Sequence, residues 1–395
     1  LALGVYCTSW TFYGAVGSAV RDGWSYLPIY AAPMLLLLAA PRVLRRLSEA
    51  VHEEQATTVS DFIAARFGHD VVVARLVTVI ALLGAIPYIA LQLRSIGAAL
   101  SIVSGANVAA QAMLVAAPLL ALFAILFGAR RFELAGRSEG LLYAIGLESA
   151  IKLLALVAVA GVAVAVLAAT PPQRVIEGFS ALQSRFEPQG LTLNVAIIFL
   201  IAMPAILSLP RQFYMGLVEA RQPDDLVRAR FGLAAYLGTM AIVVLPIALA
   251  GLTVLGPAIA PDVYVLELPA AEGFGFVLAA ALLGGVSAAA SMAIVDSTAL
   301  ATMVSNDLVF PTLMRGPATT ESGAIGRRML TIRRLSILAI LTMGLVWALL
   351  VSAQDSLASI GLIAFAAMAQ FTPHLILAAT GKGRDSLAAR ASLSV

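Results

Sequence analysis

Long uncharged stretches dominate this chain, and they decide which solvent it folds in. A helix needs about 20 mostly apolar residues to cross a bilayer core. Ten segments meet that length, some with polar interruptions: 1–19, 24–44, 72–103, 110–128, 139–169, 191–209, 231–256, 274–304, 330–352 and 356–380. Composition agrees. Of 395 residues, 61% are hydrophobic and 12% charged, against about 45–50% and 25% in soluble domains; mean hydropathy is +0.96. A water-soluble fold and a disordered chain are excluded, and a single cysteine, Cys7, excludes a disulfide scaffold. A net charge of +3 gives no basis for a nucleic-acid partner. The expected fold class is all-α: a polytopic protein of about ten helices in a lipid bilayer.

The connections test that count, because Lys and Arg collect on the cytoplasmic side. One alternate set of loops, with the tail, holds Arg42, Arg45, Arg46, Arg66, Arg75, Arg130, Arg131, Arg137, Arg211, Arg221, Arg228, Arg230, Arg315, Arg327, Arg328, Arg333, Arg334, Lys382, Arg384 and Arg390. The other set holds Arg21, Arg174 and Arg185. A missed helix would scramble this asymmetry, so both ends of the chain are expected in the cytoplasm. Residues 257–273 carry Asp262, Glu267 and Glu272 without Lys or Arg and read as external. Trp24, Tyr26 and Tyr30 read as anchors at the outer interface. The proline-rich stretch 171–190 is the best internal boundary. It divides the segments five and five: 1–170, an external connection over 171–190, and 191–380. Residues 381–395 read as a cytoplasmic tail or the start of a linker, and the start at Leu1 reads as that of a piece excised from a longer protein.

Several residues are chemically out of place in lipid. In the first segment Thr8, Ser9, Trp10 and Thr11 form a polar run, with Tyr13, Gly14 and Gly17 after it. Such a run either loosens the helix, freeing carbonyls for a cation and aromatics for a solute, or packs helices closely. The sixth segment, which carries Pro204 and Pro210, corresponds to the first in the second half. Interrupted segments at matching positions point to a transporter site. In the eighth, Ser287, Ser291 and Thr298 make a small hydroxylated face, open to packing or to cation ligation. Charges within segments mark pathways or structural pairs. Glu148 and Lys152, four apart, read as a same-helix pair. Arg94 reads as structural. Asp296 has no basic residue one turn away and reads as a proton carrier. Tyr88 and Gln92 share one face, suited to a polar solute or to interhelical hydrogen bonds. There is no metal spacing, phosphate loop or nucleophile elbow, so catalysis would need another part of the protein.

Three motifs resemble the sodium:solute symporter family: Thr57-Thr-Val-Ser-Asp-Phe-Ile-Ala-Ala-Arg-Phe-Gly68, Tyr88-Ile-Ala-Leu-Gln-Leu-Arg-Ser-Ile-Gly97 and Ser305-Asn-Asp-Leu-Val309. More narrowly, Gly4-Val-Tyr-Cys-Thr-Ser-Trp-Thr-Phe-Tyr-Gly-Ala15 and Leu209-Pro-Arg-Gln-Phe213 resemble the membrane domain of bacterial hybrid sensor histidine kinases tied to histidine utilisation and carbon–nitrogen balance. The resemblance implies a five-plus-five inverted-repeat, LeuT-like fold in the bacterial inner membrane. It implies symport or sensing of a small amino acid, histidine foremost, coupled to Na+ or H+ with no other cofactor. It also implies a fused kinase acting on a response regulator; a receptor that binds without transporting is the rival reading. By motif position, cation ligands fall at Gly4, Cys7, Ala288 and Ser291, and solute contacts at Thr8, Ser9, Trp10, Tyr13, Tyr88 and Gln92. Two positions depart from the family. The second hydroxyl of the ion site is Met292, a poor ligand for a hard cation. The aspartate of proline-type members is Tyr6. The departures point to proton coupling, with Asp296 as carrier, or to uncoupled sensing.

Overall fold

A computed structural model describes residues 5–129, 139–313, 322–350, 357–381 and 385–394. Among these residues there are helices and turns and no strands. Lipid imposes this, because a helix satisfies every backbone polar group within itself. The helices, in chain order, are α1 (Ala15–Asp22), α2 (Pro28–Ala39), α3 (Pro41–Glu53), α4 (Val59–Arg66), α5 (Val71–Ser104), α6 (Ala109–Phe123), α7 (Glu139–Ala169), α8 (Pro172–Gln183), α9 (Leu193–Ser208), α10 (Pro210–Phe213), α11 (Asp225–Val254), α12 (Tyr264–Ala271), α13 (Gly275–Met303), α14 (Ser322–Leu350), α15 (Leu357–Ala369), α16 (Phe371–Ala379) and α17 (Ser386–Leu393). Among the described residues seven helices are long and apolar enough to cross a membrane, or nine if each of two bent pairs is one span. α5 has 34 residues, roughly 50 Å of helix, so it exceeds a bilayer core of about 30 Å.

The breaks matter more than the spans. The first segment leaves helical geometry at Cys7 and Thr8 and resumes through a π-turn, Trp10–Gly14, into α1. The polar run therefore loosens the backbone where the sequence places it. The second segment is not one straight span: α2 turns 83° into α3 before Pro41. Along α3, Leu44, Leu47 and Val51 are buried while Arg42, Arg45, Arg46 and Glu49 face outward, so the charge belongs to an amphipathic helix. The sixth segment bends 46° between α9 and α10, at Pro210 and not at Pro204. Proline at the start of a helix turn has no donor to lose, which makes it a natural restart point.

Three connections are more ordered than the sequence predicts. The stretch 171–190 contains helix α8 and two short 3-10 turns. The acidic stretch 257–273 contains α12, whose Val265, Leu266 and Leu268 are buried. The tail forms α17, capped by Asp385, which accepts from the Leu387 and Ala388 amides. α17 docks on α5 through Arg390, whose Nε lies 2.8 Å from Asp70 Oδ2. Burial raises the Asp70 carboxyl, but the Arg390 guanidinium and the Val72 and Val73 amides outweigh it and hold the group below the usual carboxylate range. The Thr57–Asp61 motif is a cap too: Thr58 Oγ1 accepts from the Asp61 amide, and the Asp61 carboxylate accepts from the Thr57 amide. The Asp307 carboxylate then accepts from Ser60 and Thr78, tying α4 and α5 to the π-turn that ends α13.

α13 packs against α7, α5 and α14. Its Gly284 and Gly285 admit the Phe12 and Tyr13 rings, and a Cβ at Gly285 would fall inside the Tyr13 phenol. Gly285→Val should therefore cost about 1–3 kcal/mol and lower the melting temperature in detergent. Gly161→Ala, which meets nothing within 4 Å, should not. A second expectation concerns the tail. Asp70 is depressed, so its contribution is complete above the usual carboxylate pKa of about 3.9 and fades as pH falls through the lowered value. Arg390→Ala at neutral pH, or acidification of the wild type below about pH 4, should lower the protection factors of the amides in residues 386–393, taken against their intrinsic exchange rates at the same pH.

Candidate functional site

The break in the first segment is held open by side chains. Thr8 Oγ1 accepts from the Trp10 amide at 3.3 Å, and Thr11 Oγ1 donates to the Thr8 carbonyl at 2.9 Å. Local hydroxyl bonds of this kind compete with helical pairing. Two residues of α5, one turn apart, finish the task. The Tyr88 hydroxyl lies 2.8 Å from Thr8 Oγ1, and Gln92 Oε1 accepts from both the Ser9 amide (3.2 Å) and the Ser9 hydroxyl (2.8 Å). Trp10 stands edge-on to Phe365 of α15 with ring centroids 5.7 Å apart, and Tyr88 lies 6.3 Å from the same ring. Gly361 leaves room for both the Trp10 and Tyr88 rings. These side chains are all buried.

The second break delivers a cation to the same cluster. Pro210 restarts the chain after the bend, and Arg211 on that turn is 1% exposed. Its guanidinium lies 4.7 Å over the Tyr88 ring. Its Nη1 is 3.3 Å from Oδ2 of Asp296, which is 0% exposed on α13. Among the described residues, Nε and Nη2 of Arg211, Oδ1 of Asp296 and Nε1 of Trp10 have no hydrogen-bond partner. Native proteins seldom leave such atoms unsatisfied, and several in one enclosed cluster mark a place for a ligand. Toward α12, Arg21 of α1 closes on Asp262 with bonds of 2.8 and 3.0 Å. Gly17 gives the Asp262 carboxylate its room.

A further buried cation sits beside the first break. Lys152 of α7 is 0% exposed. Its Nζ donates to Ser291 Oγ at 3.0 Å and to the Cys7 carbonyl at 3.4 Å. Ser291 Oγ in turn donates to the Ser287 carbonyl at 3.0 Å. Among the described residues no group of three His, Cys, Asp or Glu could hold a metal ion.

With this geometry in place, the solved structures give a match. A Na+-coupled sialic acid symporter in a substrate-bound outward-open state superposes with a TM-score of 0.70, covering 95% of this chain and 77% of that one at 14% identity. The fold is an all-α, LeuT-like, five-plus-five inverted repeat. The protein is accordingly a multi-pass membrane protein. No family model matches the sequence, and no curated protein matches it either.

On this fold the predicted residues separate into groups. Thr8, Ser9, Trp10, Tyr88 and Gln92 come together at the first break. Tyr13 does not join them: it lies over Gly285 and donates to the Ala281 carbonyl at 3.3 Å, which makes it a packing residue. Cys7 and Ser291 meet beside buried Ala288, while Gly4 lies outside the described residues. So do Arg130, Arg131, Arg137, Arg315, Lys382 and Arg384 of the loop tally. Arg94 is half-buried and, two residues beyond Gln92, lies about 200° around α5 from it. The isolation of Asp296 is corrected, since Arg211 pairs with it from another helix. Lys152 is more than half of a same-helix pair with Glu148: it reaches across to the first segment and α13. Arg211 is the residue that sequence reasoning misplaced, as a loop charge. Its signal was the Pro210 beside it.

The pair yields an expectation. Arg211→Met leaves a buried carboxylate uncompensated and should cost about 3–5 kcal/mol. Arg211→Met combined with Asp296→Leu should recover most of that stability, read as melting temperature in detergent.

Proposed function

We propose that this chain is the membrane core of an alternating-access protein that takes up a small amino acid, histidine foremost, coupled to a cation gradient. The unpartnered Nε–Nη2 edge of buried Arg211 carries this reading. That edge grips a carboxylate through two parallel bonds. A zwitterion would place its ammonium against the unpartnered Asp296 Oδ1 and its side chain beside Trp10 and Phe365. The choice of histidine rests on the sequence resemblance. So does the role of the chain as input domain of a sensor kinase, with a response regulator downstream. In this reading residues 1–170 and 191–380 are the two repeats, and 171–190 is the external connection. The positive residues of α3 and the tail face the cytoplasm of a bacterial cell, and Arg21–Asp262 is the outer closure.

One observation favours the receptor as a second reading. α17 docks at the start of α5, the helix that carries Tyr88 and Gln92. A shift of α5 on solute binding would reach the C-terminal end directly.

Uptake into proteoliposomes separates the two. Labelled histidine should accumulate under an imposed proton or sodium gradient. Histidinol, which lacks the carboxylate, should compete at least about 10-fold more weakly, since a charge-assisted bond contributes about 1.5–3 kcal/mol. Arg211→Lys, which keeps the charge and loses the fork, should weaken binding by a similar factor. Binding without accumulation selects the receptor. Equal competition by histidinol contradicts the carboxylate site. Sialic acid, the solute of the structural neighbour, is the second probe; binding of it without binding of histidine would move the reading to sugar acids.

A further inference from the structure

The LeuT-like fold and the motif positions imply a sodium ion between the broken first segment and α13. The residues present do not fit one. Gly4 lies outside the described residues; of the other implied ligands, the Cys7 carbonyl and Ser291 Oγ both face Lys152 Nζ, at 3.4 and 3.0 Å. The hydroxyl proton of Ser291 has acceptors in the Ser287 carbonyl and the Glu148 carboxylate, and either leaves a lone pair for the ammonium. Each bond thus runs from a positive donor to an oxygen. The adjacent position is Met292, fully buried. Its thioether is a poor partner for a hard cation. Glu148, one turn before Lys152 on α7, supplies opposite charge to the ammonium. A sodium ion entering this place would meet a positive charge and two oxygens already taken.

We propose that the Lys152 ammonium is itself the cation of this position: a tethered charge that joins α7 to the broken first segment and α13 in place of a dissociable sodium ion. The break at Cys7 then needs no alkali metal to hold it, and solute binding at Thr8 and Trp10 needs none either. The comparison with a sodium site rests on the transporter reading; the occupancy of the position by an ammonium does not.

The test is made without solute, so that a wrong solute cannot obscure it. The full chain in lipid nanodiscs is melted in sodium chloride and in choline chloride at equal ionic strength. The wild type should melt at the same temperature in both. The double variant Lys152→Ala/Met292→Ser removes the tethered charge and supplies a second hydroxyl. It should melt lower than the wild type in choline and recover by about 2 °C or more in sodium, as binding to the folded state alone requires. Lys152→Met, which keeps the bulk and loses the charge, should lose stability and gain no response to sodium. Selective stabilisation of the wild type by sodium overturns the proposal, and this needs no variant to fold. A folded double variant indifferent to sodium overturns it as well. Histidine binding measured in the same two salts is the separate check: wild-type binding in choline supports the proposal, and binding in sodium only contradicts it. Absence of histidine binding in both salts speaks against the solute reading and leaves the melting result to decide the cation.

Discussion

Among the described residues two positive charges, Arg211 and Lys152, lie fully buried in this helix bundle, and how each is compensated ties its helices together. A charge away from water carries a penalty of several kcal/mol unless an opposite charge and hydrogen bonds offset it. Arg211 meets Asp296 and the face of Tyr88. Lys152 meets the Cys7 carbonyl and Ser291. Between them these contacts join α7, α10, α13, α5 and the first segment. Helices in lipid gain little hydrophobic energy from meeting one another, so close packing and polar contacts of this kind decide which neighbours they choose.

Both charges act at broken backbone. A continuous helix presents no free carbonyls or amides, whereas the breaks at Cys7–Thr8 and Leu209–Pro210 expose both. Small residues make the breaks usable. Gly284 and Gly285 let the aromatics beside the first break lie against α13, and Gly361 lets Trp10 and Tyr88 approach α15. Unsatisfied atoms remain in the enclosed cluster on Arg211, Asp296 and Trp10. Their chemistry, two N–H groups on one fork beside a lone carboxylate oxygen, is complementary to a zwitterion.

Much of this was legible before any coordinates. Apolar length locates the spans, and the hydroxyl run from Thr8 to Thr11 falls at the first break, where Thr8 and Thr11 take over backbone partners. Tyr88 and Gln92 share a face by helical spacing alone. Other features depend on what arrives from elsewhere in the chain. Arg211 follows a proline near a helix end, the same local pattern as a solvent-exposed loop, and its burial is decided by the 46° bend. Asp296 seems isolated only when its own helix is searched. Lys152 and Glu148 satisfy a same-helix rule, yet the partners that give Lys152 its place are 145 and 139 residues away. Tyr13 falls among the solute contacts by motif position, yet three residues beyond Trp10 its ring turns onto Gly285. The tail has a linker's composition, but Asp385 caps it and Arg390 anchors it.

An experimental map of the protein with bound histidine tests the central claim most directly. The carboxylate should lie within hydrogen-bond distance of both Nε and Nη2 of Arg211, with the imidazole beside Trp10 and Phe365. Histidine bound elsewhere, or that guanidinium edge occupied by a group of the protein itself, would contradict it.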